Sequence, residues 1–224
     1  MKPFTLTLGL LLAATSFAQD KLNFVSTKKV GDVTKHAWQM NINAVGQEVV
    51  VKANLEATVK KVEEKSVELV RVWKDFTIDM GGQSPNVPVE DMTVTAKPDN
   101  EPITVVGGVQ GTDNFRSYLI LNFVLPPAPI GVGEKYTKEV AGKGDAPSYK
   151  VETVYEKDEE VDGVKLHKFV AKLAENGADG ISATTNFWVS DAGEVIKADA
   201  TFKNLPIPAV GQSVEGKMTL KIIK

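Results

Sequence analysis

From residue 30 onward the apolar residues recur with a period of two, and that period dictates the fold class. Trp38, Met40 and Ile42 alternate with Gln39, Asn41 and Asn43. Tyr149, Val151, Thr153 and Tyr155 share a face, as do Ile181, Ala183, Thr185, Phe187 and Val189. Ile196, Ala198, Ala200 and Phe202 repeat the pattern, and Met218, Leu220 and Ile222 end it. A helix would need spacings of three and four; alternation describes antiparallel strands with one buried and one wet face.

Turn residues sit where these runs break. Asp162-Gly163, Asn176-Gly177, Asp179-Gly180 and Ser190-Asp191-Ala192-Gly193 supply the small and amide-bearing residues that tight hairpins need. Glu63 to Ser66 reads as the turn between runs ending at Val62 and starting at Val67. The apolar phase slips between Leu166 and Phe169, which predicts a bulge near His167-Lys168. Val49 to Val51 and Val70 to Trp73 are apolar on both faces, which predicts cover on both sides. One segment admits a helix: Asp113 caps a face of Phe115, Tyr118, Leu119, Asn122 and Phe123, and Pro126, Pro127 and Pro129 stop it. The same residues also read as a short buried strand, and the helix is preferred.

The expectation is a mainly β chain of antiparallel curved sheets or half-barrels with at most one or two short helices. Three segments follow. Residues 1–18 read as a signal peptide: Lys2, an apolar run from Phe4 to Ala14 too short for a bilayer core of about 30 Å, then Ser16-Phe17-Ala18 before Gln19. Residues 19–125 form an N-terminal β half and 126–224 a C-terminal one. Val45-Gly46-Gln47-Glu48-Val49 recurs as Val210-Gly211-Gln212-Ser213-Val214. An internal duplication and a convergence of similar hairpins both account for this. Two packed sheets or one long curved sheet would follow, as one domain.

Pro129-Ile130-Gly131-Val132-Gly133-Glu134-Lys135-Tyr136 and the hairpin Val189-Ser190-Asp191-Ala192-Gly193-Glu194-Val195 resemble segments of uncharacterised bacterial secreted or periplasmic β-rich proteins. Proteins of this appearance look like relatives of the lipoprotein-carrier half-barrels. The resemblance implies a curved antiparallel sheet that holds an apolar ligand beneath short helices. This chain departs from it in having a single convincing helix.

Most chemistries lack their residues. The chain has no Cys, so thiol catalysis, Cys-zinc sites and disulfides are excluded, and His36 and His167 are its only histidines. No G-x-S-x-G elbow occurs. Gly107 to Gly111 and Gly142 to Gly144 lack the frame of a phosphate loop. Asp158, Glu160 and Asp162 approach a calcium loop, but its twelfth position is Phe169. No metal site and no cofactor are expected. The formal charge of −3 disfavours a nucleic-acid partner, and no apolar stretch after Ala18 reaches transmembrane length.

A non-enzymatic periplasmic or secreted binding protein is the expectation, with an apolar small molecule or lipid on a curved sheet. A structural module docking another envelope protein is the alternative, and a hydrolase ranks behind both. The expected ligand contacts are Trp38, Met40, Tyr118, Phe123 and Trp188.

Overall fold

Each alternating run forms a strand, and the turn residues between them close hairpins. The computed structural model describes residues 21–44, 46–142, 147–208 and 211–223. The expected export signal, its cleavage site before Gln19, and Val45 and Val210 of the recurring motif lie outside the described residues. The strands are β1 (Val33–Ala44), β2 (Gln47–Val62), β3 (Val67–Met80), β4 (Met92–Ala96) and β5 (Pro102–Val106). The helix α1 (Asn114–Ile120) follows, then β6 (Lys135–Val140), β7 (Tyr149–Val161), β8 (Val164–Glu175), β9 (Ser182–Val189), β10 (Val195–Ile207) and β11 (Gln212–Ile222).

All eleven strands join one open antiparallel sheet in the order β5-β4-β3-β2-β1-β11-β10-β9-β8-β7-β6. The two halves are thus parts of one curved sheet, joined in the middle where β1 pairs with β11. β1–β5 and β6–β10 run across it in the same order, with β11 inserted between them. The hairpin turns stand where their residues require. Asp162 and Gly163, with φ of 51° and 79°, make a two-residue turn between β7 and β8. Glu63 N–H donates to Ser66 O across the β2–β3 turn at 2.8 Å.

Bulges decide which residues share the concave face. Lys52 pairs with Thr77 but Asn54 with Lys74, so β3 carries an extra residue at Asp75, whose φ is 53°. Trp73 and Phe76 therefore both face inward although three residues apart. The bulge expected at His167-Lys168 lies across the ladder, on β7: Tyr155 pairs with Phe169 and Lys157 with Lys168, leaving Glu156 over. β8 stays regular, so its apolar phase is not restored and Leu166 is buried on the other face, outside the main cluster. The two-sided cover expected for the doubly apolar strands is also absent in form: Val50, Val70 and Val72 are half-buried among strand neighbours, while α1 packs with the concave-face core.

The connection from β5 to β6 must travel from one edge of the sheet to the other. α1 and residues 121–134 carry it along the concave side. Asp113 caps α1 by accepting from Arg116 N–H at 3.0 Å, as expected. The Arg116 guanidinium then reaches the fully buried Glu175 carboxylate, Nε to Oε1 at 2.9 Å, and Thr185 Oγ1 donates to Ile120 O at 2.7 Å. These contacts dock α1 against the β8–β9 end of the core. Beyond it Phe123 packs on Phe169 and Phe187 at 5.0 and 5.3 Å between centroids, and Tyr155 stacks on Phe169 at 4.7 Å. The sheet curls enough for its edges to be tied together: Lys138 of β6 pairs with Asp99 at 2.8 Å and Glu101 at 2.6 Å, both in the β4–β5 turn.

Two substitutions test this arrangement. A Cβ on Gly216, at the β1–β11 seam, would lie 2.2 Å from Asn41 O and 2.8 Å from Ile42 Cγ2. Gly216→Ala is expected to lower the unfolding free energy in denaturant by about 1–3 kcal/mol; an unchanged midpoint would show that the seam has slack. Arg116→Ala leaves the Glu175 carboxylate buried without its cation and is expected to cost about 3–5 kcal/mol in the same assay.

Candidate functional site

α1 and residues 121–125 lie on the concave side against β5 and β9–β10, with Tyr118 on the β2–β4 cluster, and part of the inner face of β1–β3 is left uncovered. Among the described residues, cavities lie there toward each end of these strands, and the two share no lining residue.

The upper cavity, of about 180 Å³, lies at the end where β1 and β2 turn. Trp38, Met40, Val49 and Val51 form its floor, Trp73 and Phe76 one wall, and Pro85 and Val87 of the β3–β4 loop its cover. Trp73 stands edge-on to Trp38 at 5.3 Å and to Phe76 at 6.1 Å, an arrangement made by the Asp75 bulge. Its polar lining comes from the segment leading into α1, including Gln110 and Asn114. Such a space offers dispersion contacts and almost no hydrogen bonds, so it suits an apolar group.

The lower cavity, of about 390 Å³, lies at the start of β1. It is lined by Lys28 of the segment preceding β1, His36, Arg71, Tyr118, Asp32 and Glu194, among others. The Arg71 guanidinium lies 4.6 Å from the centre of the Tyr118 ring, and its buried Nε has no hydrogen-bond acceptor among the described residues. Lys28 Nζ donates to Asn100 Oδ1. Burial, and secondarily the Arg71 charge, push Lys28 down to about 8. Burial also lowers His36; its Nε2 lies 3.0 Å from Val195 O, a bond that opposes the shift, while Arg71 adds to it. On the acidic side, burial and then the Asp32 charge raise Glu194. Neither cation forms an ion pair with either acid among the described residues.

The five sequence-predicted contacts divide among three places. Trp38 and Met40 line the upper cavity, and Tyr118 and Phe123 the lower. Trp188 is on the convex face, buried between its ladder partners Lys168 and Lys197, with Lys197 Nζ 4.2 Å from the ring centre. The fold does not bring it to the others. Sequence reasoning missed Arg71 and Lys28. A signal for Arg71 was present: it continues the inward phase of Val67, Leu69 and Trp73, and it is one of only two arginines in the chain.

His167 holds the most concentrated acid–base cluster. Its Nδ1 lies 2.7 Å from Asp158 Oδ1 and 2.9 Å from the Tyr155 hydroxyl, and its Nε2 lies 2.7 Å from Asp191 Oδ1. Burial opposes ionisation of Asp158, but bonds from Lys165, Tyr155 and His167 outweigh it and hold the carboxyl at about 2. Neither cavity reaches His167, which is 3% exposed and packed edge-on to Phe24. The cluster ties the β7–β8 hairpin to the β9–β10 turn. The acidic run read as a partial calcium loop is the end of this hairpin, with Asp162 paired to Lys221 at 3.0 Å. Among the described residues no group of three or more acids or histidines is arranged to hold a metal, and no helix is long and apolar enough to cross a membrane.

No family model matches the chain, and no curated protein matches it. Among solved structures it is similar to a Bacteroides fragilis protein named as exported and of YmcC-like fold, at 12% identity and a TM-score of 0.36. The match covers 90% of this chain and 99% of that one. At that TM-score the likeness carries no argument about what this chain does.

The lower cavity leaves a stability signature. Between about 8 and its ordinary 10.5, Lys28 binds fewer protons in the folded than in the unfolded chain, so its burial penalty is full below pH 8 and fades as pH rises. Lys28→Met is therefore expected to raise Tm at pH 7, with the gain shrinking toward pH 10.5. Thermal melts across this range check it, and a pH-independent difference would contradict the assignment.

Proposed function

We propose that the protein is a non-enzymatic extracytoplasmic binding protein that holds a small apolar group in the upper cavity of its curved sheet. One observation carries this reading: an apolar pocket of about 180 Å³, partly open to solvent, lies between Trp38, Met40, Val51, Trp73 and Phe76 and is not filled by the chain. Apolar walls without a packed side chain forgo dispersion contacts, a cost that a bound apolar group removes. An engineered cavity of about 150 Å³ with similar walls stays dry and takes up benzene. The volume thus suits one ring or a short acyl segment. The export-type N-terminal sequence supports the extracytoplasmic placement, and the missing nucleophile constellations support a role without catalysis.

Native mass spectrometry of the protein purified from its own envelope fraction, followed by solvent extraction, tests this. An added mass that extracts into organic solvent is the expected result. After extraction the protein is expected to take up the single-ring apolar probe p-xylene, followed by ligand-observed NMR. Val51→Phe, which fills the cavity, is expected to abolish that uptake, and Trp188→Phe on the convex face to leave it intact. A clean apo mass with no p-xylene uptake, or equal uptake by Val51→Phe, would overturn the reading.

A further inference from the structure

We propose that the lower cavity is a second, separate binding site, in which Lys28 and Arg71 hold a compact oxyanion, a carboxylate or a phosphate group. The argument starts from how the chain spends its arginines. There are two, and both are placed on the inner side of the sheet. Arg116 meets the buried Glu175 carboxylate there. Arg71 meets no carboxylate among the described residues. Its Cζ lies 4.6 Å from the centre of the Tyr118 ring, and its buried Nε has no acceptor among the described residues, so a guanidinium N–H stands free for a ligand oxygen. Guanidinium edges match carboxylate and phosphate oxygens in a two-point fork.

Lys28 completes the site. It reaches the same cavity from the segment before β1, and its only partner among the described residues is the neutral Asn100 side chain. Two cations are therefore kept near one another in a partly buried space, where burial and then the Arg71 charge disfavour the Lys28 ammonium. A ligand of opposite sign would relieve that repulsion, and a charge so perturbed in a cleft marks a candidate binding site. The cavity's acids set the orientation. Asp32 accepts from Lys29 N–H at 2.7 Å and so is fixed at the mouth of the turn before β1, and Glu194 is disfavoured by Asp32. An oxyanion is repelled from that side and attracted to the Lys28–Arg71 side. His36 is lowered by burial and by Arg71, so at neutral pH it adds no third charge. The space of about 390 Å³ exceeds what an oxyanion alone occupies, so the site accommodates either a free small anion or the head of an amphiphile.

Titration calorimetry on the full protein distinguishes these. The probes are inorganic phosphate, acetate, and the pair dodecyl phosphate and dodecanol. Binding of phosphate or acetate, weakened about tenfold or more by Arg71→Gln and by Lys28→Gln, supports a site for a free oxyanion. No binding of either small anion, with dodecyl phosphate preferred over dodecanol and that preference lost in both variants, supports a head-group site. Binding of neither class, or a preference that survives both variants, would overturn the proposal. If Arg71→Gln does not fold, Lys28→Gln and the fork-deficient Arg71→Lys carry the comparison. A second readout is independent of affinity: at pH 8 Lys28 is expected to be acetylated ahead of the exposed lysines by limiting acetic anhydride, and a bound probe anion is expected to protect it. Inorganic phosphate has no apolar part, so its result stands apart from whether the upper cavity takes an apolar ligand.

Discussion

Everything in this molecule depends on the pairing of its first strand with its last. β1 and β11 run antiparallel from His36–Ile222 to Ile42–Gly216, and without that ladder the chain would form two sheets of five and six strands, each with an extra exposed edge. The seam is tight because Gly216 lets the strands close around Asn41 and Ile42 with no Cβ between them. It also joins the first and last strands of the chain's described residues, so its loop-closure cost falls on the rest of the core to offset. The offset is visible: Trp38, Met40 and Ile42 of β1 and Met218 and Leu220 of β11 are all buried in one cluster.

A continuous sheet with its two ends curled toward each other creates an inside. The chain fills that inside unevenly. α1, held by Arg116 to Glu175 and by Thr185 to its terminal carbonyl, places the only helix among the described residues between β9–β10 and the β5 edge. The aromatic cluster of Phe123, Phe169 and Phe187 grows from there. What stays open over β1–β3 follows from that placement, and its two ends differ in character because the inward residues differ. At the β1–β2 turn they are Trp, Met and Val, and at the other end His36 and Arg71. The apolar and the charged cavity are thus two outcomes of one packing asymmetry.

Much of this was legible in the chain as written. The alternating runs became strands, Asp162-Gly163 and Ser190 to Gly193 became turns, and Asp113 became the cap of the one helix, because each depends on interactions within a few residues. The failures have equally local reasons. The phase slip at Leu166 to Phe169 was read as a bulge in β8, but a ladder can take its extra residue from either strand, and here Glu156 of β7 supplies it. Trp188 was grouped with the ligand contacts because aromatic rings suit apolar ligands. Its own alternation with Phe187 and Val189 put it on the other face, where lysine stems cover it.

By itself, then, the sequence determined the strand-forming period, the hairpin sites, the helix start and the absence of thiol and multi-histidine chemistry. All of these are properties of residue type and short spacing. Only the tertiary structure decided that the two halves share one sheet, that its edges meet through Lys138, Asp99 and Glu101, and that Lys28 and Arg71 face a common space. Those outcomes join residues tens to more than a hundred positions apart, and side-chain period carries no information about which distant strands will pair or how far a sheet will curl before its interior is full.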